Sequence, residues 1–178
     1  TLQARPRKMP RTRLTLRDLT LLLLLSFASA ATWGQEPDRS ARVILVSGAT
    51  GTQGGAVARE LVDRGYTVRG LTRNPDSDTS RALTDLGVQM VRGNFDDAAS
   101  LDRALEGVYG AFSVQQYRGV GINGEIRQSE AFADAAKRAG IQHFVYTSVA
   151  KAPLGTGVPQ FESKALIESY IRSLNIPY

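Results

Sequence analysis

The chain has 178 residues, 42% of them hydrophobic and 22% charged, which suits one domain with a sizeable core. It has no cysteine and a single histidine, His143, so disulfides, thiolate metal sites, a cysteine nucleophile and a multi-histidine metal site are excluded. The formal charge of +5 does not point to nucleic acid: residues 1–30 hold six basic residues and one acidic residue, and the rest of the chain has 16 of each sign.

Arg11, Arg13 and Arg17 precede an apolar run from Leu19 to Ala31 that closes on Ala28-Ser29-Ala30. A basic segment, a short apolar core and small residues are the pattern of a secretory leader. Residues 1–30 are therefore expected to be a signal peptide cut after Ala30, with Met9 as a candidate start. The alternative is an uncleaved amphipathic extension or an over-extended reading frame. The run falls short of the roughly 20 apolar residues a stable membrane span needs. Residues 31–41 read as a linker.

From Arg42 onward strand and helix signals alternate. Val43–Val46 is a continuous apolar run, expected as a strand buried on both faces. Val57, Ala58, Leu61 and Val62 give the next segment an apolar helical face that stops at Gly65. Thr67–Thr72 is the second strand. Ser77–Leu86 reads as a helix with Ser77 or Asp78 as its N-cap. Val88–Val91 is a third strand, Ala98–Leu105 a short helix and Val108–Val114 a fourth strand. Glu125–Ala139 is a helix closed by Gly140, His143–Thr147 a fifth strand and Gln160–Leu174 a last helix. Residues 175–178 read as the start of another strand, so the chain is expected to be truncated at its C-terminus. Alternating units of this kind predict a Rossmann-type, doubly wound parallel sheet covered by helices on both faces, spanning residues 42–178.

Between the first strand and helix lies Ser47-Gly48-Ala49-Thr50-Gly51-Thr52-Gln53-Gly54-Gly55. The first glycine of G-x-x-G-x-x-G permits a tight turn, the second lets backbone approach a pyrophosphate, and the third lets the helix pack against the sheet. Amide groups at the helix start then meet phosphates, assisted by the helix dipole. Gly48 through Gly54 are thus the first candidate cofactor residues, and the cofactor is a dinucleotide. An NAD site wants a carboxylate at the end of the second strand, for the ribose 2′-hydroxyl. Arg73 stands there instead, followed by Asn74. Arginine pairs with a 2′-phosphate, so NADP(H) is favoured over NAD(H). Arg69 is a secondary candidate further back on the strand.

With these residues in place the chain resembles the NmrA-like group of atypical short-chain dehydrogenases/reductases. The resemblance covers residues 42–178. It rests on the Gly48–Gly55 turn, on Val68-Arg69-Gly70-Leu71-Thr72-Arg73-Asn74-Pro75, on Val91-Arg92-Gly93-Asn94-Phe95-Asp96-Asp97, and on Phe161-Glu162-Ser163-Lys164. It implies that Asn94 and Phe95 lie at the adenine, where the family usually has Gly-Asp rather than Gly-Asn. It places Gln115, Gln116 and Tyr117 along the ribose on the nicotinamide side. It implies that Lys164 hydrogen-bonds that ribose and that Ser148 corresponds to the family's serine after the fifth strand. Lys164 and Ser148 are the candidate catalytic residues. The tyrosine usual four residues before the lysine is replaced by Gln160, which cannot donate and recover a proton near neutral pH.

The expected function is therefore NADP(H)-dependent oxidoreduction of a small carbonyl or quinone-type acceptor without a catalytic tyrosine. The alternative is a non-catalytic NADP(H) sensor that binds a regulatory protein. An exposed sheet edge makes a homodimer an option. A cleaved leader implies export to the periplasm or medium, whereas NADPH argues for the cytoplasm; Arg11-Thr12-Arg13 is not the twin-arginine signal that exports folded, cofactor-loaded proteins. His143 is expected to be structural, and Asp96, Asp97 and Asp102 to serve the start of a helix rather than a metal.

Overall fold

The structure, a computed structural model, describes residues 38–150 and 155–178. The expected leader and residues 31–37 of the expected linker lie outside the described residues. Strands and helices alternate strictly: β1 (Val43–Val46), α1 (Thr52–Asp63), β2 (Thr67–Thr72), α2 (Asp78–Asp85), β3 (Gln89–Arg92), α3 (Ala98–Leu105), β4 (Gly110–Ser113), α4 (Gly121–Ala139), β5 (His143–Tyr146) and α5 (Pro159–Ser173). All strand pairs are parallel, in a five-stranded sheet of order β3-β2-β1-β4-β5. The chain runs outward from β1 to β3, crosses back, and continues through β4 to β5. The loops after β1 and β4 therefore part at the C-terminal edge of the sheet, where such folds open a crevice.

Alternation along β1 feeds two cores. Leu45 joins Leu71, Leu101, Phe132, Phe144 and Ile167 on the side of α3, α4 and α5. Val46 joins Ala58, Val68, Leu83 and Val88 on the side of α1 and α2. Phe132 sits edge-on to Phe95 with ring centroids 5.7 Å apart, an arrangement worth about 0.5–1.5 kcal/mol beyond its buried area. This ties the loop after β3 to the larger core.

Several boundaries differ from the sequence reading. β4 is shorter than Val108–Val114, because Val108 packs into the core before the ladder starts and Val114 leaves it for the crevice. α4 starts at Gly121, four residues before Glu125, because the Tyr117 carbonyl accepts the amides of Val120 and Gly121 and launches the helix early. Beside β5, the Phe144 amide donates to the Pro177 carbonyl at 2.7 Å.

Helix starts carry clear local chemistry. Ser77 caps α2 by accepting from the Ser80 amide, and Asp97 caps α3 by accepting from the Ser100 amide at 3.1 Å. Asp97→Ala should cost about 1 kcal/mol, read as a lower urea midpoint at unchanged slope. Asp96 receives the Gln128 amide and Asp102 pairs with Arg138, so the three aspartates have structural partners, and no metal-binding cluster occurs among the described residues. Nor, among them, is any helix long and apolar enough to cross a membrane.

Candidate functional site

The crevice is an open groove of about 1020 Å³ over the C-terminal ends of β1, β2, β4 and β5. Its floor is the glycine turn. Gly48 has φ +59°, which favours glycine. A Cβ on Gly54 would overlap the Gly48 carbonyl and stand 2.7 Å from the Ser47 carbonyl oxygen, so α1 can begin this close to the turn only with glycine there. Ser47, fully buried, joins the two parting loops: its hydroxyl accepts the Val114 amide at 2.8 Å and donates to the Val114 carbonyl at 3.3 Å. α1 has Gly51 at its N-cap, with no side-chain cap and no acidic residue in its first turn. Its leading amides thus lack a side-chain acceptor at the end where the helix dipole attracts anions.

One end of the groove is formed after β2 and β3. The Thr72 hydroxyl accepts the Asn74 amide, the Asn74 carbonyl accepts the Ser80 hydroxyl, and Arg92 donates to the Arg73 carbonyl at 2.9 Å. The backbone beneath Arg73 is thereby fixed. Its exposed guanidinium has no hydrogen bond or ion pair among the described residues and lines the groove. Arg69, the secondary candidate, does not line the groove. It donates to the carbonyls of Ala104 and Glu106 at the end of α3. Asn94 and Phe95 both line the groove; the Asn94 side-chain oxygen accepts the Asp96 amide at 3.2 Å, leaving its amide nitrogen as the group open to a base edge.

The other end contains Lys164, Ser148, Gln115 and Gln116. Lys164 Nζ lies 3.0 Å from Glu125 Oε1 and donates to the Gln115 carbonyl at 3.3 Å, with the Tyr146 ring centroid 5.1 Å away. Gln115 touches the groove but its side chain turns inward: its amide oxygen accepts from the hydroxyls of Ser113 and Ser129. Among the described residues its amide nitrogen is buried without a hydrogen-bond partner, and the Tyr146 hydroxyl is buried beside Ser129. Burial, and then the nearby Glu125 charge, push the Tyr146 phenol well above its ordinary range, and its hydroxyl is sealed from the groove. It is no replacement for the missing tyrosine. Gln160, at the tyrosine's position, is exposed and off the groove wall.

Two of the expected site residues sit away from the groove wall. Ala49 is fully buried in the smaller core, its side chain facing Gly70 rather than the groove. Tyr117 does not line the groove either; its carbonyl starts α4. The sequence reading missed Glu125, Ser163 and Gln128. Their signal was available: Glu125, Gln128, Ser129 and Phe132 have the spacing of one helix face, and three polar residues on a face shared with a core phenylalanine mark a buried polar cluster.

Among the described residues, the side chains of the groove wall include Arg73, Arg118 and Lys164 but no carboxylate. A glycine cradle, uncapped helix amides and cations such as Arg73, Arg118 and Lys164 fit a dinucleotide, whose charges are phosphates.

The NmrA-like family model matches residues 40–178. The NmrA-like family domain-containing oxidoreductase FrzB of Cladobotryum sp is 36% identical over 142 residues, which cover 74% of this chain and 42% of that protein. Among solved structures, Citrobacter sp. triphenylmethane reductase complexed with NADP(H) superposes with a TM-score of 0.68 at 30% identity, over 76% of this chain and 47% of that one. NmrA, a negative transcriptional regulator, superposes in its NADP complex with a TM-score of 0.67 at 29% identity, over 76% of this chain and 43% of that one, and was also solved with NAD. The chain thus spans less than half the length of each of these proteins.

Proposed function

Because the chain belongs to the NmrA-like family, we propose that it holds NADP(H) in the groove and serves as an NAD(P)H-dependent oxidoreductase for a small carbonyl or quinone-type acceptor. The observation that carries this reading is the carboxylate-free groove, with the glycine cradle on its floor and Arg73 and Lys164 at its two ends. The amides of the turn would hold the pyrophosphate, Arg73 the 2′-phosphate, Asn94 and Phe95 the adenine, and Lys164 the ribose beside the nicotinamide. The bound cofactor supplies a hydride. Ser148 and the Lys164 ammonium are the hydrogen-bond donors placed to meet an acceptor oxygen at that end. The reductases among the relatives support this reading, and the NADP complexes support the cofactor.

Titration with NADPH and NADH, followed through nucleotide fluorescence, tests the cofactor. NADPH is expected to bind more tightly. Arg73→Ala should remove the preference by weakening NADPH roughly 10-fold, as loss of one charge-assisted contact to phosphate would. Equal wild-type affinities would refute the role of Arg73. The resemblance to NmrA, solved with either nucleotide, makes this a real contest.

One observation favours a second reading, a non-catalytic NADP(H)-sensing module. Among the described residues the groove wall has no tyrosine, histidine or carboxylate to act as an ordinary acid–base group. Tight NADPH binding without turnover across a panel of quinones and aldehydes would support the sensor.

A further inference from the structure

We infer that Glu125 is a positioning residue, a buried carboxylate that aims the Lys164 ammonium at the bound dinucleotide; the inference rests on the cofactor placement proposed above. Glu125 is 1% exposed and is not on the groove wall, so it cannot touch a ligand itself. Both of its oxygens are engaged: Oε1 faces Lys164 Nζ at 3.0 Å, and Oε2 accepts the Ser163 hydroxyl at 2.7 Å. Ser163 and Lys164 are neighbours on α5, so one carboxylate from α4 grips two consecutive residues of the facing helix.

An ammonium has three hydrogens. Glu125 and the Gln115 carbonyl take two of them, and the Tyr146 ring occupies another flank. The third is left for the groove that Lys164 lines. A lysine side chain otherwise samples many rotamers, and holding it before the ligand arrives removes that cost from binding. The simpler account, that the pair only joins α4 to α5, is weak, because a buried ion pair is seldom more stabilising than apolar side chains of the same volume. Its position at the groove gives the charge another use.

The test compares two ligands. NADPH reaches Lys164; adenosine 2′,5′-bisphosphate has the phosphorylated adenosine half and nothing at the nicotinamide end. Glu125→Gln should weaken NADPH about 10-fold and leave the bisphosphate within about 2-fold. Glu125→Asp, which keeps the charge but draws it back by one methylene, should fall between wild type and Glu125→Gln, and it serves alone if the glutamine variant fails to fold. The double variant Glu125→Gln/Lys164→Met should bind NADPH no more weakly than Lys164→Met, since a residue acting through Lys164 has nothing to add once it is gone. Equal loss of both ligands, additive losses, or unchanged NADPH affinity would overturn the inference. Wild-type protein that binds neither ligand would overturn the cofactor reading and this inference together.

Discussion

Gly54→Val should abolish useful dinucleotide binding, weakening NADPH by about 100-fold or more, equivalent to ~2.8 kcal/mol. The cause is steric and local. A Cβ on Gly54 meets the carbon and oxygen of Gly48 and the carbonyl oxygen of Ser47, all of them backbone atoms that cannot rotate away. Either the turn moves or α1 retreats from β1. Both displace the leading amides of α1, which must converge on the phosphates. Overpacking of this kind also costs about 1–3 kcal/mol of stability. Circular dichroism and urea unfolding would separate the two effects: a folded variant with NADPH affinity intact would show that the turn is not the phosphate cradle.

Lys164→Met is the second large effect, and it falls on stability as well as function. The lysine side chain is 12% exposed and its partner Glu125 1%. Removing the ammonium strands a buried carboxylate with only the Ser163 hydroxyl beside it, and breaking a buried pair from one side costs about 3–5 kcal/mol. The urea midpoint should fall accordingly. Replacing both members, as Glu125→Met/Lys164→Met, should return most of that stability because no charge is then left unpaired. Turnover of any quinone or aldehyde substrate should be lost in both variants. A single variant as stable as wild type would mean that Glu125 finds another partner. Full activity in Lys164→Met would remove the lysine from the chemistry.

The sheet was legible in the sequence because β1 to β5 are short apolar runs separated by amphipathic helices, and because right-handed crossovers leave only a handful of ways to wind such units. The turn was legible because its glycines stand between a buried strand and a helix, where few other residues fit. Arg73 could be placed because it follows the last residue of β2. Glu125 could not. Read as the first residue of a helix, it carried no sign of burial; with α4 begun at Gly121 it lies inside the helix and on its buried face. Gly121 and Gly124 concealed that early start, since glycine is a poor helix former. Gln115 was placed correctly along the chain but not in orientation. Whether its amide faces the groove or the core depends on Ser113 and Ser129, and Ser129 lies 14 residues away in sequence. Ala49 and Tyr117 sit off the groove wall for a related reason: in a tight loop, adjacent side chains point to different surroundings, and spacing alone does not say which.

The paired bonds between Ser47 and Val114 set how the groove receives its ligand. They connect the loops after β1 and β4 at the point where the two halves of the sheet diverge, so the width of the mouth there is a property of the free protein. A dinucleotide entering at that point does not have to draw the halves together. On the placement proposed above its phosphates would meet a backbone already shaped for them, and ordering on binding would be left to long side chains such as Arg73 and Arg118 at the rim. Association at the turn should therefore resemble the seating of a key, with the slower adjustments confined to the two ends of the molecule.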